Sequence, residues 1–196
     1  MQRSLRILIA LLLSSTVGWS ADYKKGYEAY YNGDYATALR ELKPLAAEGD
    51  AKSQHVLGRI YEDGKGVPQN YKTAFKWFRL VAEQRFASAQ YLVGRMYYYG
   101  KGVPKNYKKA FKWFTLSAER GVPDAQFHLG VMYNNGQGVA QNLVYAYMWY
   151  NVAASEGVEN AVKARDLVAK LLTRSQIAKA QELAVEYMEK KFKGCD

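Results

Sequence analysis

The stretch ASAQYLVGRMYYYGKGVPKNYKKAFKWFTLSAERGV, residues 87–122, decides the fold, because the chain writes it more than once. The stretch before it, residues 51–86, reads AKSQHVLGRIYEDGKGVPQNYKTAFKWFRLVAEQRF and matches at 21 of 36 places. The stretch after it, residues 123–158, keeps the frame: Gly58, Gly94 and Gly130 are spaced by 36, as are Tyr61, Tyr97 and Tyr133. The same spacing relates Gly64, Gly100 and Gly136, then Gly66, Gly102 and Gly138, then Val67, Val103 and Val139. Asn70, Asn106 and Asn142 follow, then Ala74, Ala110 and Ala146, then Trp77, Trp113 and Trp149, then Ala82, Ala118 and Ala154. Nine columns held across three copies are beyond chance, and a period of roughly 20–50 residues marks an array of stacked supersecondary units.

Each column has a physical reading. Residues 51–63 suit one helix with Leu57, Ile60 and Tyr61 inward. Gly64 stops it, because glycine takes the left-handed conformation cheaply. Residues 65–68 form a loop, Asn70 caps the next helix, and residues 71–84 form it. Ala74, Trp77, Phe78, Val81 and Ala82 give that second helix one apolar face. Gly58 costs about 1 kcal/mol relative to alanine inside a helix, so it implies close helix–helix approach, with Ala74 or Ala82 as the expected partner. The unit is a helix–loop–helix hairpin that cannot cover its apolar face alone, so copies stack into an all-α, αα-superhelical solenoid. Working outward, residues 24–49 read as a shorter first hairpin (helices at 27–31 and 35–47 around Asn32-Gly33-Asp34). Repeats then run over 50–86, 87–122 and 123–158, and residues 159–192 form a divergent last hairpin, the C-terminal cap. There Asp166 replaces the expected glycine, Ala169 replaces the tyrosine, and Thr173-Arg-Ser-Gln176 has the form of a capping box.

The first 20 residues differ in kind. Arg3 and Arg6 precede an apolar run at 7–13, and Ser14, Ser15, Gly18, Ser20 and Ala21 follow. That order predicts a secretory signal peptide over residues 1–20, with Gly18 and Ser20 at the positions that need small side chains. An uncleaved anchor is the alternative. The apolar run falls short of the roughly 20 residues a spanning helix needs, so the mature chain, residues 21–196, is expected to be one repeat domain that does not span a membrane, periplasmic or secreted. Lys and Arg number 28 against 18 acidic residues, and loss of residues 1–20 leaves a net charge of about +8. Cys195 is the only cysteine and there are two histidines, which excludes a disulfide framework and disfavours a metal site. No metal or cofactor is expected.

The string from Ala87 to Gly94, with Tyr97, Gly100, Gly102, Pro104, Ala110, Trp113 and Ala118, resembles the Sel-one-like repeat (SLR) family of tetratricopeptide-like superhelices. The resemblance covers 50–158 strongly and the flanking hairpins more weakly. It implies a non-catalytic adaptor that binds a partner protein or peptide; exported bacterial members imply roles in envelope assembly, regulation or host contact. Cysteine-rich relatives are linked to β-lactam binding or hydrolysis, but this chain lacks their cysteines.

Catalytic signatures are missing. There is no G-x-S-x-G and no H-E-x-x-H. The glycines from Gly58 to Gly66 imitate a phosphate loop, but the spacing is one residue too long and glycine stands where a magnesium-binding hydroxyl belongs. Binding is therefore sought in columns that vary between copies. On the first helix, offsets of 4, 7 and 11 residues share a face. That face holds Lys52, Val56, Arg59 and Asp63, then Ser88, Leu92, Arg95 and Tyr99, then Asp124, His128, Val131 and Asn135. Arg59, Arg95, Tyr98, Tyr99, His128 and Asn135 are the candidate binding residues, since Arg and Tyr supply anchoring area together with hydrogen bonds. A second feature is basic: Lys72, Lys76, Lys105, Lys108, Lys109 and Lys112 beside the second helices, and Lys190, Lys191 and Lys193 at the end. It could attract an anionic envelope polymer, a polysaccharide or peptidoglycan, which is the alternative to a protein partner. Nucleic acid is not an expected partner, because no nucleic-acid motif is present.

Overall fold

The computed structural model describes the backbone of residues 21–193 and the side chains of residues 21–190. The expected signal peptide and Cys195 lie outside the described residues, as do the side chains of Lys191 and Lys193. Among the described residues there are ten helices and no strand: α1 (Tyr23–Tyr31), α2 (Tyr35–Ala47), α3 (Ala51–Asp63), α4 (Tyr71–Glu83), α5 (Ala87–Tyr99), α6 (Tyr107–Ala118), α7 (Pro123–Asn135), α8 (Leu143–Ser155), α9 (Glu159–Ala169) and α10 (Arg174–Lys193). Helices pair as hairpins α1–α2, α3–α4, α5–α6 and α7–α8, and each hairpin packs on the next through α2–α3, α4–α5, α6–α7 and α8–α9. This is the expected αα-solenoid.

The local signals act as read. Gly64, Gly100 and Gly136 end α3, α5 and α7 in the left-handed conformation, each donating its N–H to the carbonyl four residues back. Asn70, Asn106 and Asn142 cap α4, α6 and α8 through their side chains. Thr173 and Gln176 exchange reciprocal bonds, Thr173 N–H to Gln176 Oε1 at 2.9 Å and Gln176 N–H to Thr173 Oγ1 at 3.3 Å. That box opens α10.

The core runs along the hairpins in three segments, around Leu42, Leu57 and Ile60, around Phe78 and Met96, and around Phe114, Leu129 and Met132. Close helix approach at the mid-helix glycines is confirmed, but the partner differs from expectation. A Cβ on Gly58 would lie 2.4 Å from Phe78, on Gly94 2.7 Å from Phe114, and on Gly130 2.5 Å from Tyr150. An aromatic ring of the same hairpin, rather than Ala74 or Ala82, fills the space each glycine vacates. Flat rings need a flat, Cβ-free surface, and all three occupy one column of the repeat.

The last hairpin is corrected. α10 does not fold back on α9 as its second arm; it packs principally against α8. Ala180 and Ala184 are fully buried there. The Tyr187 hydroxyl donates to the Ala118 carbonyl, and its ring meets Trp149 edge-on at 4.9 Å between centroids. This cover explains a gradient in one column: Trp77 and Trp113 are half-buried, whereas Trp149 is buried.

Candidate functional site

The variable positions of α3 and α5 converge on one cavity. It has a volume of about 430 Å³ and is lined by Arg59, Glu62, Asp63, Gln69, Tyr71, Arg95, Tyr99 and Lys101. At its base sits Glu62, whose side chain is only 9% exposed. Glu62 accepts from Arg59 on its own helix at 3.2 Å and from Arg95 of the next repeat at 2.5 Å. One carboxylate therefore holds two guanidinium groups from adjacent repeats in a fixed relation. The Arg95 side chain remains 28% exposed and that of Arg59 38%, so both retain donors facing the cavity. Tyr99 is 55% exposed beside them. Three cations face two carboxylates, and Asp63 is occupied by Lys65 at 3.1 Å.

Beside this cavity lies an aromatic cluster. His128 packs on Tyr91, Tyr98, Phe114 and Phe127. Its Nδ1 lies 2.8 Å from the Asp124 carbonyl, which can only accept, so Nδ1 carries the proton. Tyr98 stacks edge-on with Tyr99 and Tyr107, and its hydroxyl donates to Gln137 at 2.9 Å. Burial lowers the pKa of His128, the Asp124 carbonyl opposing it, and burial lowers that of His55, helped by Arg59. Both imidazoles are then neutral in the fold, while the unfolded chain binds their protons below about pH 6.5. Their stabilising contribution is complete above that pH and is lost as pH falls through it toward the depressed native values. Melting temperature should accordingly drop between pH 7.5 and pH 5. The drop should shrink in a His55→Gln/His128→Gln variant, as followed by helical circular dichroism. An identical pH slope in that variant would refute the assignment.

Five of the six sequence candidates thus fall in two sets. Arg59, Arg95 and Tyr99 share the cavity; Tyr98 belongs with His128 in the ring cluster that flanks it, joined to Tyr99 at 4.9 Å between centroids. Asn135 is in neither; it is exposed at the end of α7 and accepts from Asn134. The expected open face also fails at Val56 and Leu92, which are 4% and 2% exposed and belong to the core. Offsets of four residues keep a helix face only approximately, and the open strip lies around positions 59 and 63 rather than 56. Glu62 was the residue missed. Its column reads Glu62, Tyr98, Asn134, so it varies between copies as a binding column should, and that was the available signal. A second missed column is invariant: Gln54, Gln90 and Gln126, all buried at helix–helix junctions. The basic strip is partly engaged as well, with Lys105 over Tyr107 and Lys109 over Tyr97 at 4.7 and 5.3 Å.

The Sel1 repeat family model matches residues 51–86, 87–122 and 123–158, over half of the chain. The chain belongs to the Sel1-repeat family. A Sel1 repeat protein from Oxalobacter formigenes has a similar solved structure, with a TM-score of 0.72 and 30% identity over 89% of this chain and 71% of that one. Another is c5321, described as a protective antigen present in uropathogenic Escherichia coli strains and displaying an SLR fold. It matches at a TM-score of 0.62 and 26% identity over 86% of this chain and 45% of that longer one. The search of curated proteins found no match. Sel1-repeat proteins are helical-repeat scaffolds for protein–protein interaction and are typically non-catalytic. Among the described residues, no helix is long and apolar enough to cross a membrane.

Proposed function

We propose that this Sel1-repeat chain is an exported adaptor whose α3–α5 groove holds an acidic segment of a partner protein. The observation that carries the reading is the Arg59–Glu62–Arg95 arrangement. Two guanidinium groups are pre-positioned by a buried carboxylate, so little conformational entropy is lost when they grip a ligand. Their remaining donors form a planar fork suited to a carboxylate. Tyr99 offers an exposed ring beside them, and Arg and Tyr are the residue types that most often anchor interfaces. The net positive cavity favours an acidic side chain or a chain terminus over a basic one. Roles in envelope assembly, regulation or host contact are consistent with the export signal read in residues 1–20.

The test is a pull-down from the native envelope with residues 21–196, wild type against Arg59→Glu/Arg95→Glu. A specific partner should be retained by wild type and lost from the variant. Affinity for that purified partner should fall about thirtyfold or more, equivalent to the ~2 kcal/mol of a hot-spot pair. The variant must first show the wild-type helical spectrum. Equal retention by both proteins overturns the groove assignment.

A further inference from the structure

Three successive repeat junctions present the same three groups, and each is filled differently. The third junction consists of the Ala118 carbonyl at the end of α6, Gln126 at the start of α7 and Trp149 on α8. Tyr187 of α10 occupies it. Its hydroxyl donates to the Ala118 carbonyl and accepts from Gln126 Nε2 at 3.5 Å, and its ring lies against Trp149. One hydroxyl thus bridges an amide donor and a carbonyl acceptor over an indole.

The first junction, 72 residues earlier, consists of Ala46, Gln54 and Trp77. It is closed from within. Gln54 Nε2 donates to the Ala46 carbonyl at 2.9 Å, and the Gln84 amide donates to Gln54 Oε1 at 3.1 Å and to the Gly49 carbonyl at 3.2 Å.

The middle junction, Ala82, Gln90 and Trp113, is open. These three residues line a cavity of about 420 Å³ whose rim carries Glu83, Arg85, Glu119 and Arg120. Gln90 is 4% exposed; its Nε2 reaches the Ala82 carbonyl only at 3.4 Å, and its Oε1 has no partner, as is also true of Gln126 Oε1 beneath Tyr187. Two substitutions within the repeat keep the space clear. Arg120 stands where Gln84 stands one repeat earlier, but its guanidinium donates to the Arg85 carbonyl at 2.6 Å instead of closing over Gln90. Arg85 itself has a φ of +68°, in a column otherwise held by Gly49, Gly121 and Gly157. A non-glycine residue held in the left-handed region is strained, and such strain concentrates at ligand contacts.

We propose that the Ala82–Gln90–Trp113 cavity is a docking socket for a tyrosine carried on a helix of a partner protein, seated as Tyr187 is seated one repeat later. The internal copy supplies the chemistry. The incoming hydroxyl inserts between Gln90 Nε2 and the Ala82 carbonyl, and the ring covers the half-exposed face of Trp113. The site lies at the N-terminal end of α5, away from the Arg95–Tyr99 end, so it is separate from the groove and its test does not depend on that reading.

The probe is p-cresol, the tyrosine side chain alone, titrated into the purified chain and followed by nuclear magnetic resonance. Saturable shifts are expected at the Trp113 indole N–H and the Gln90 side-chain amide. The Trp149 signals should stay in place, because Tyr187 already fills that junction. 4-Methylanisole, which keeps the ring but cannot donate, should bind about tenfold more weakly, the worth of one buried hydrogen bond. Gln90→Leu should remove the response. Shifts that map elsewhere, or equal affinity for the two probes, overturn the proposal; both are read on the wild-type protein, so an unfolded Gln90→Leu does not block the decision. Self-association that disappears in Tyr187→Phe would hand the socket to a second copy of this chain and overturn the partner assignment.

Discussion

Gly102→Ala is expected to destabilise the chain by about 3 kcal/mol or more. Gly102 has a φ of +74°, which costs an alanine roughly 1–2 kcal/mol. A Cβ there would lie 2.2 Å from the Tyr71 carbonyl oxygen and 2.8 Å from the Lys72 backbone nitrogen. Those atoms belong to the first turn of α4 in the preceding repeat, and backbone cannot rotate away as a side chain can. Overpacking of that kind adds a further 1–3 kcal/mol or so. At about 2–4 °C per kcal/mol for a chain of this size, the thermal midpoint should fall by roughly 6–12 °C. Gly157→Ala is the internal control. Its φ is +88° but nothing lies within 4 Å of the added carbon, so it carries the conformational cost alone. If the two variants melt together, the loop of one repeat is not packed tightly on the helix of the one before. The same seam recurs at Gly138, whose Cβ would meet the Tyr107 backbone at 2.5 Å. This is where the period of the sequence becomes the pitch of the solenoid, since each loop is gauged against its neighbour's helix start.

Much of this was written in the sequence because repetition converts weak local preferences into columns. One asparagine before a possible helix is a faint signal; Asn70, Asn106 and Asn142 at a constant interval are not, and all three cap helices through their side chains. The start of α4 at Tyr71 was legible for that reason. What the columns do not encode is how an element departs from them. α10 keeps an apolar side through Ala180, Ala184 and Tyr187, but nothing in that pattern says which helix receives it. Packing on α8 brings the Tyr187 ring against Trp149 and its hydroxyl to Ala118, 69 residues back in the chain. The groove was half legible. Arg59 and Arg95 were visible as a repeated basic pair on one face, but the carboxylate that joins them stands in a column where its counterparts are Tyr98 and Asn134. Variation was read as freedom to bind a partner, whereas Glu62 uses it to bind the chain itself. The Phe78–Phe114–Tyr150 column was equally visible, yet periodicity alone could not pair it with the glycines across the hairpin.

Tyr187→Ala should release α10 from the solenoid. The ring lost is half-buried, and truncating a large aromatic costs about 3–5 kcal/mol when it is fully enclosed, so about 2–4 kcal/mol is expected here. Burial raises the pKa of the Tyr187 phenol, so near neutral pH the hydroxyl keeps the proton it donates to the Ala118 carbonyl. Removing it leaves Gln126 buried with neither amide atom engaged, because its Nε2 bond to Tyr187 is the one described for it and its Oε1 has none. Two readouts separate loss of the cap from general softening. Backbone amides of residues 180–187 should exchange with solvent much faster, while those of α3 and α5 keep their protection, since a solenoid's repeats are stabilised mainly by their immediate neighbours. Tryptophan emission should also shift to longer wavelength as Trp149 becomes as open as Trp77 and Trp113. Tyr187→Phe keeps the ring on Trp149 and should cost only about 1 kcal/mol, the worth of the hydroxyl. A Tyr187→Ala protein whose α10 stays protected would mean that Ala180 and Ala184 alone hold the helix. The three-group junction would then be incidental to capping, and the open copy at Ala82–Gln90–Trp113 would lose the precedent that gives it a ligand.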